Sequence, residues 1–252
     1  MWKVVDLSHP WGMDTPPWVG YPSPKITYTQ RLPYNKIVSQ WIETSLHIGT
    51  HMDAPLHGTP GGCDMASIPL EQLVGDGVIV DISADVGDWG FITPEMITKR
   101  ADVRKGDILL YHTGYHDYYT YGKTPDEERY MCRHPGPRSP EFARWVVDMQ
   151  FKWIGFDLGS GDHPMNTTIR DMRADLAREF EAKVGKPMEE IFPRKDFFFM
   201  HRIPFAARIP HVENIGGDID QVLNRRCRIG AFPWKFKGGE ASICRVVAFL
   251  DT

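Results

Sequence analysis

Three short apolar runs set the strongest limit on what this chain can fold into. They are VIVDIS (78–83), DILLYHTG (107–114) and WIGFDLG (153–159), and each is rich in β-branched or aromatic residues. Their apolar residues are nearly continuous, which is typical of strands buried on both faces of a sheet. Two further strand candidates are DFFFMH (196–201) and ICRVVAFLD (243–251). The sequence therefore predicts a sheet with buried central strands.

Helices are predicted from start signals and periodicity. Thr93-Pro94 and Ser139-Pro140 each place a capping side chain before a proline at the first helical position, where the missing N–H costs nothing. After Ser139, apolar residues recur with helical spacing at Phe142, Trp145, Val146 and Met149. A third helix is expected over 168–184, with Gly185 as its stop. Strands that alternate with helices favour a mixed α/β architecture, which we expect to form one domain over 1–252.

The segment from His112 to Pro140 differs from the rest of the chain. It is polar and rich in proline, yet it carries five tyrosines. Long loops inside compact domains are usually functional or disordered, and tyrosines argue against disorder. We interpret this segment as a lid or a subunit contact.

Composition and charge narrow the choice of partners. The chain has 252 residues, of which 42% are hydrophobic and 25% charged, values ordinary for a globular protein. The net charge is −4 and lysines and arginines form no stripe, so nothing indicates nucleic-acid binding. A small-molecule substrate is the expected partner.

Cysteine usage and the amino-terminal residues predict a compartment. The four cysteines have no C-x-x-C spacing and are too few for a disulfide framework, which favours reduced thiols. The start MWKVVDLSHPWGMD lacks a basic region followed by an apolar run, and no window approaches 18 uninterrupted apolar residues. We expect a soluble, cytoplasmic protein with no membrane partner.

The stretch SLHIGTHMDAPLHG (45–58) contains three histidines and an aspartate within eleven positions. Imidazole nitrogens and carboxylate oxygens are ligands that Zn²⁺ and Mn²⁺ accept. A turn at Gly49 would bring His51 and Asp53 back toward His47. These three side chains are therefore candidate metal ligands, although a solvated loop whose histidines make unrelated hydrogen bonds would show the same composition.

His57 follows the candidate ligands after a stiff exit at Pro55. An imidazole with a pKa near neutrality could accept a proton from water activated by the metal. We interpret His57 as a candidate general base.

Four other histidines are less informative. His112 and His116 flank the tyrosine-rich segment and could touch a substrate. His201 ends an aromatic run and His211 lies near it in the sequence. Each could equally be a satisfied core residue, and the residues alone do not choose between His201 and His211 as a ligand.

The run HIGTHMDAPLH is similar to the H-x-G-T-H-x-D-x-P-x-H motif of the cyclase-like metal-dependent hydrolases, which include bacterial kynurenine formamidase and isatin hydrolase. The likeness continues through DLSHPWGMDTPPWVGYP, GDILLYHTG, GFDLGSGD and an MHR with a downstream ENI. The resemblance implies the swivelling β/β/α fold of that family. It also implies a homodimer or homotetramer.

Site residues follow from the same resemblance. It implies five metal ligands, His47, His51, Asp53, His201 and Glu213. Asp53 would bridge two ions and His57 would be the general base. Isatin hydrolases typically carry glutamine where this chain has Glu213, which favours a dinuclear, formamidase-like site over a mononuclear one. The expected cofactor is Zn²⁺ or Mn²⁺, one or two per chain.

A site of this kind predicts hydrolysis of an amide, formamide, cyclic amide or lactone, because a metal activates water and polarises a carbonyl. By resemblance, the segment that holds Trp11, Trp18 and Tyr21 borders the active site, where aromatic rings would suit an aromatic substrate; simple packing is the alternative. Two other functions stay open. The same residues could serve a metal-dependent lyase or dehydratase, and a noncatalytic binding protein could retain the fold.

Overall fold

A computed structural model describes residues 2–251, and one mixed sheet of eight strands organises it. Two small sheets of two strands each accompany it. The strands are β1 (Trp2–Asp6), β2 (Lys25–Gln30), β3 (Ser39–Glu43), β4 (His51–Asp53), β5 (Val74–Asp81), β6 (Phe91–Ile92), β7 (Ile108–His112), β8 (Gly136–Pro137), β9 (Ile154–Phe156), β10 (His211–Glu213), β11 (Arg225–Pro233) and β12 (Ala241–Asp251).

The helices are short and cover the sheet. The α-helices are α1 (Leu32–Asn35), α2 (Pro55–Gly58), α3 (Leu70–Leu73), α4 (Pro94–Thr98), α5 (Glu127–Cys132), α6 (Pro140–Asp148), α7 (Ile169–Met172), α8 (Ala174–Val184), α9 (Met188–Ile191) and α10 (Phe199–Ala206). Single 3₁₀ turns lie at Met65–Ser67, Tyr115–Tyr118, Pro164–Asn166, Arg194–Asp196 and Ile219–Gln221.

The large sheet closes on itself. Its order is β1-β12-β11-β5-β7-β9-β10-β4, and β4 also pairs with β12. Seven strands, from β12 round to β4, therefore form a closed barrel-like sheet, and β1 extends β12 on the outside. The run β5, β7, β9, β10 is parallel, whereas the remaining neighbours are antiparallel. This mixed α/β arrangement confirms the fold class predicted from the sequence.

The middle strand β7 shows why the apolar runs are continuous. Ile108 and Leu110 face one hydrophobic core, while Leu109 and Tyr111 face a second core on the opposite side. All four side chains are buried. Since successive residues of a strand point to opposite faces, a strand between two cores needs apolar residues at every position. The strands predicted in all three runs are confirmed.

One predicted strand is wrong. The run DFFFMH (196–201) spans the end of a 3₁₀ turn and the start of α10. Its aromatic residues have strand propensity, but Phe198 has a left-handed φ of 53° and turns the chain into the helix. The buried residues Phe199, Met200 and Phe205 then face α2 and α6, so tertiary packing overrides local propensity here.

The predicted starts of α4 and α6 are confirmed, but capping side chains do not cause them. Helices α4 and α6 begin at Pro94 and Pro140, but neither Thr93 nor Ser139 caps its helix by a side-chain hydrogen bond. Proline at the first position is therefore the effective signal. The helix predicted over 168–184 is divided into α7 and α8, and α8 ends at Gly185 with a left-handed φ of 71° as expected.

The tyrosine-rich segment is a packed layer and not a lid. It contains a 3₁₀ turn, α5 and β8. Three of its tyrosines, Tyr115, Tyr119 and Tyr130, are buried in one of the two cores. A segment anchored by three core side chains cannot open freely, so the lid interpretation is wrong, whereas a subunit contact stays a prediction.

Two sequence-level expectations can be compared with the structure. None of the helices within residues 2–251 is long and apolar enough to cross a membrane. All four cysteines are free, as the prediction of reduced thiols requires.

Two neutral histidines in the core predict acid sensitivity. His134 and His163 are fully buried, and burial lowers the pKa of His134 to about 4 and that of His163 to about 3. An unfolded histidine titrates near pH 6.5, so below that pH the unfolded chain takes up protons that the folded chain refuses. The penalty from these two histidines is absent above about pH 6.5, and below it they lower the free energy of unfolding by up to about 1.4 kcal/mol per pH unit each as the pH drops toward 4.

The variant His163→Asn tests this. Asparagine can still accept the hydrogen bond that the Met165 N–H donates to His163 Nδ1 over 3.1 Å, but it takes up no proton. Urea unfolding of metal-free wild type and variant, between about pH 7 and pH 5, should give a free energy of unfolding that depends less steeply on pH in the variant. Equal slopes for the two proteins would contradict the assignment.

Candidate metal centre

The histidine-rich motif (45–58) bends toward the inside of the barrel at Gly49. After β3 the chain bends at His47, and Gly49 has a left-handed φ of 63°. A Cβ at this position would lie 2.9 Å from the Trp11 ring, so both the turn and the packing require glycine. Strand β4 follows at once, and its alternation points His51 and Asp53 to one side and Met52 into the apolar core.

The register of β4 against β10 assembles the polar cluster. His211 lies opposite Asp53, and Glu213 lies opposite His51. The Nε2 atom of His211 is 3.1 Å from Asp53 Oδ2, and the Nε2 atom of His51 is 3.5 Å from Glu213 Oε2. Two cross-strand pairs thus place two imidazoles and two carboxylates on one buried face.

Helix α10 adds His201 to the same group. Its Nδ1 atom is 2.7 Å from the carboxylate of Asp162, which accepts the N–H and leaves Nε2 with its lone pair. That Nε2 atom lies 3.6 Å from Glu213 Oε1 and 3.8 Å from Asp53 Oδ2. His51 is oriented similarly, since its Nδ1 atom donates to the Gly49 carbonyl over 2.8 Å.

His47 and His57 complete the cluster on the side of the cavity. His47 Nδ1 lies 3.1 Å from Asp53 Oδ1. The rings of His47 and His57 are 4.1 Å apart, and the His57 side chain is 25% exposed. All five predicted ligands and the predicted base therefore lie around Asp53.

The donor atoms fit a metal ion. Two buried atoms, His51 Nε2 and Asp53 Oδ1, make no well-aligned hydrogen bond within the described residues, although they lie 3.3 Å apart and His47 Nδ1 lies 3.1 Å from Asp53 Oδ1. A buried polar atom without a partner costs about 1–3 kcal/mol, and a bound cation would satisfy both. Around Asp53, two groups of side chains have ligand atoms within 4.8 Å of one another: Asp53, His201, His211 and Glu213, and His47, Asp53 and His57. Asp53 is common to both groups, so its carboxylate would reach an ion held by either one.

Two members of the site were not identified from the sequence. Glu240 lies just before β12, and its Oε2 atom is 2.7 Å from His47 Nε2 and 2.8 Å from His57 Nδ1. A single acid after two glycines carries no motif, so only the closed sheet reveals it. The sequence alone left His211 and His201 as alternative ligands. In the structure both histidines lie against the carboxylates of Asp53 and Glu213.

Charges inside the cluster are strongly coupled. Burial by itself would raise the pKa of Asp53, but the imidazoles of His47 and His51 hold it well below its usual range. Burial likewise opposes protonation of His47, but Asp53 and Glu240 raise its pKa to about 11. The carboxylates are thus ionised and ready to bind a cation, and metal binding must displace protons from the rings.

A cavity of about 400 Å³ opens onto this cluster. Its walls include Trp18, Tyr21, Phe198 and Arg202 beside the histidines. Trp18 and Tyr21 therefore lie where the resemblance implied. Trp11 does not: it packs on the Gly49 turn and borders a different depression next to His9. The predicted contact of Trp11 with substrate is not supported.

The closed mixed sheet, with its buried cluster of histidines and carboxylates, can be compared with the folds of known proteins. Among solved structures, isatin hydrolase A from Labrenzia aggregata, bound to benzyl benzoate, has the same fold, with a TM-score of 0.76 at 21% identity over 100% of this chain and 94% of that one. A structure described as a potential metal-dependent hydrolase with cyclase activity has a TM-score of 0.69 at 23% identity over the whole of both chains. The fold implied by the resemblance is confirmed.

The family is then identified by sequence. A family model described as a putative cyclase matches residues 5–163, which is more than half of the chain. The chain is 27% identical to the kynurenine formamidase of Salinibacter ruber over 167 residues, 66% of this chain and 73% of that protein. Matches to other kynurenine formamidases span 61% to 66% of their length. This protein belongs to the putative cyclase family.

The variant Asp53→Asn should lose its metal. Asp53 is the carboxylate common to both ligand groups, and an amide is a far weaker ligand. We expect metal affinity at this centre to fall more than about 100-fold, beyond the 10–100-fold that outer partners of a ligand typically cost. Elemental analysis of purified protein measures it. Asp148→Asn, an exposed aspartate at the end of α6, is the matched control and should retain the wild-type metal content.

Proposed function

We propose that this chain is a metal-dependent amidohydrolase that cleaves an amide, formamide or cyclic amide bond of a small aromatic molecule. The observation that carries the proposal is the buried cluster around Asp53, which opens into a cavity with aromatic walls. Family membership and likeness to kynurenine formamidases and isatin hydrolases support a hydrolase, since their substrates contain a formamide and a cyclic amide.

The metal would be Zn²⁺ or Mn²⁺, one or two ions per chain. The proposed ligands are His47, His51, Asp53, His201 and Glu213. A divalent ion supplies Lewis acidity toward a carbonyl and a nucleophilic water at neutral pH. The description of one structural neighbour as metal-dependent supports this assignment.

His57 is suited to proton transfer. Its Nδ1 atom donates to Glu240 Oε2 over 2.8 Å, so Nε2 is the nitrogen left to accept a proton. The ring borders the cavity beside His47. We assign it as the general base that takes a proton from water and returns it to the leaving nitrogen. Glu240 fixes the tautomer and orients the ring.

Substrate size and chemistry follow from the cavity. About 400 Å³ accommodates a molecule with one or two rings. Trp18 and Tyr21 form an aromatic corner with ring centroids 6.0 Å apart, and Tyr21 also meets the edge of His47. An aromatic ring held there would lie next to the proposed base. Arg202 adds a positive charge to the wall, which suits a substrate with an anionic group.

Hydrolysis of an N-formyl aromatic amine and of isatin, followed by absorbance, tests the activity. We expect turnover of at least one compound and, in H₂¹⁸O, label in the new carboxylate or formate. His57→Gln should lower kcat by about 10²–10⁴-fold with the metal content unchanged, because only the proton acceptor is lost.

One further variant and two possible results separate aromatic amide hydrolysis from the alternative functions. Glu240→Gln should lower kcat less than His57→Gln does, since it removes only an orienting charge. Metal-loaded protein that cleaves neither compound would contradict the aromatic amide proposal. Loss of substrate without incorporation of label would instead indicate a lyase or dehydratase.

We also propose that the protein is a cytoplasmic homodimer or homotetramer. The hairpin of β2 and β3 carries apolar side chains exposed to solvent, among them Tyr34 at 84% and Trp41 at 68%. Apolar surface concentrated in this way is typical of interaction sites. A second copy of the chain is the partner that the family resemblance favours.

The variant Trp41→Ser tests this surface. Loss of a large apolar side chain from the hairpin should shift the protein toward the monomer, seen as a lower mass in sedimentation or light scattering. Leu70→Ser, which removes an apolar side chain 69% exposed at the start of α3, is the matched control and should leave the mass unchanged. Wild type that is monomeric at every concentration would overturn the proposal.

A further inference from the structure

A second cluster of metal-binding side chains lies at the carboxyl ends of the parallel strands. His112 ends β7, His116 lies in the 3₁₀ turn that follows, and Asp220 lies in the 3₁₀ turn after β10. One ligand atom from each lies within 4.8 Å of the others. Asp157, just beyond β9, faces both rings. None of these residues belongs to the centre around Asp53.

The inner atoms have the spacing of a coordination sphere. His112 Nε2 and His116 Nδ1 are 3.2 Å apart, and Asp157 Oδ2 is 3.3 Å from the second and 3.7 Å from the first. Ligands about 2.0–2.1 Å from a tetrahedral zinc ion lie about 3.3–3.4 Å from one another. The three atoms therefore occupy positions close to three corners of such a tetrahedron.

Neighbouring groups orient these ligands. Asp81 accepts from His112 Nδ1 over 2.9 Å, which leaves the Nε2 lone pair facing the cluster, the arrangement seen when a carboxylate supports a metal-bound histidine. The N–H and hydroxyl of Thr113 both donate to Asp157 Oδ1 over 2.8 Å. Asp157 Oδ2 is thereby directed at the two rings.

Asp220 closes the cluster from the solvent side. Its Oδ1 atom lies 3.9 Å from His112 Nε2 and 3.6 Å from His116 Nε2. This His116 nitrogen points away from the Nδ1 atom that faces Asp157, so Asp220 orients the ring by its charge and is not itself a ligand, while Lys123 binds its other oxygen, Oδ2, over 2.9 Å. The Asp220 side chain is 48% exposed while both rings are buried, which gives an ion a path inward.

The charges of the cluster favour a cation. Asp81, Asp117, Asp157 and Asp220 contribute four carboxylates, and Lys123 contributes one ammonium. With neutral imidazoles these groups carry a net charge of −3. Asp157 is the fully buried member, and a buried carboxylate needs a compensating charge, which a divalent ion would supply without protonation of the rings.

We propose that His112, His116 and Asp157 form a separate binding site for a divalent transition-metal ion, supported by Asp220 from the solvent side, with Zn²⁺ the best match to two imidazoles and one carboxylate. The ion would tie the tyrosine-rich segment to the sheet. Tyr119, three residues after His116, stacks on His9 with ring centroids 3.8 Å apart, so the site would also steady the amino-terminal segment. The role is structural and independent of the proposed hydrolysis.

Cobalt titration of full-length protein tests the site. In the metal-free variant Asp53→Asn, which lacks the first centre, we expect one Co²⁺ per chain with the visible absorption of a tetrahedral ion. Adding Asp220→Asn should weaken binding more than about tenfold, and adding His116→Gln should abolish it. Asp218→Asn is the matched control, because Asp218 is exposed in the same turn and its side chain makes no hydrogen bond within residues 2–251.

Two results would overturn the proposal. One is folded Asp53→Asn protein, judged by circular dichroism, that binds no cobalt. The other is cobalt affinity that neither Asp220→Asn nor His116→Gln alters. If Asp53→Asn does not fold, zinc content of the otherwise unaltered chain decides, since it must fall by one ion per chain in His116→Gln and stay constant in Asp218→Asn.

Discussion

The pairing of β4 with two partners at once is the constraint on which both the fold and the site depend. Its three residues bind β10 on one side and the first residues of β12 on the other, which closes the barrel. The same register sets Asp53 against His211 and His51 against Glu213. A slip by one residue would turn both polar side chains into the apolar core and Met52 out of it. Closure of the sheet and assembly of the metal centre are therefore one event.

Burial of so many ionisable groups has an energetic consequence. Asp53 and Glu213 are fully buried carboxylates, and among residues 2–251 the surrounding imidazoles and the Gly161 N–H are the groups that compensate them in the absence of an ion. Buried charges are tolerated when they are paired or bind metal. The barrel thus holds its polar centre at a cost in stability that a bound metal would offset, which would link occupancy of the site to stability of the sheet.

Features that depend on residues close together in the sequence could be predicted from the sequence alone. The continuous apolar residues of β7 follow from two cores, and the spacing of His47, His51 and Asp53 follows from one turn and one short strand. Distant members were harder to predict. His201 and Glu213 were chosen only through family resemblance, and Glu240 carries no sequence pattern because barrel closure alone brings it to His47. The error at 196–201 arose where aromatic residues with strand propensity serve the buried face of a helix.

Strand β12 pairs with different strands along its length. Its first residues pair with β4 at the metal centre, and its later residues pair with β1 and β11. On the ribosome, His51 and Asp53 emerge long before Glu213 and longer still before β12, so the nascent chain displays an incomplete set of ligands for most of its synthesis. Because β12 is made after all five proposed ligands and pairs with β4, the relative positions of those ligands are fixed only once this strand is in place.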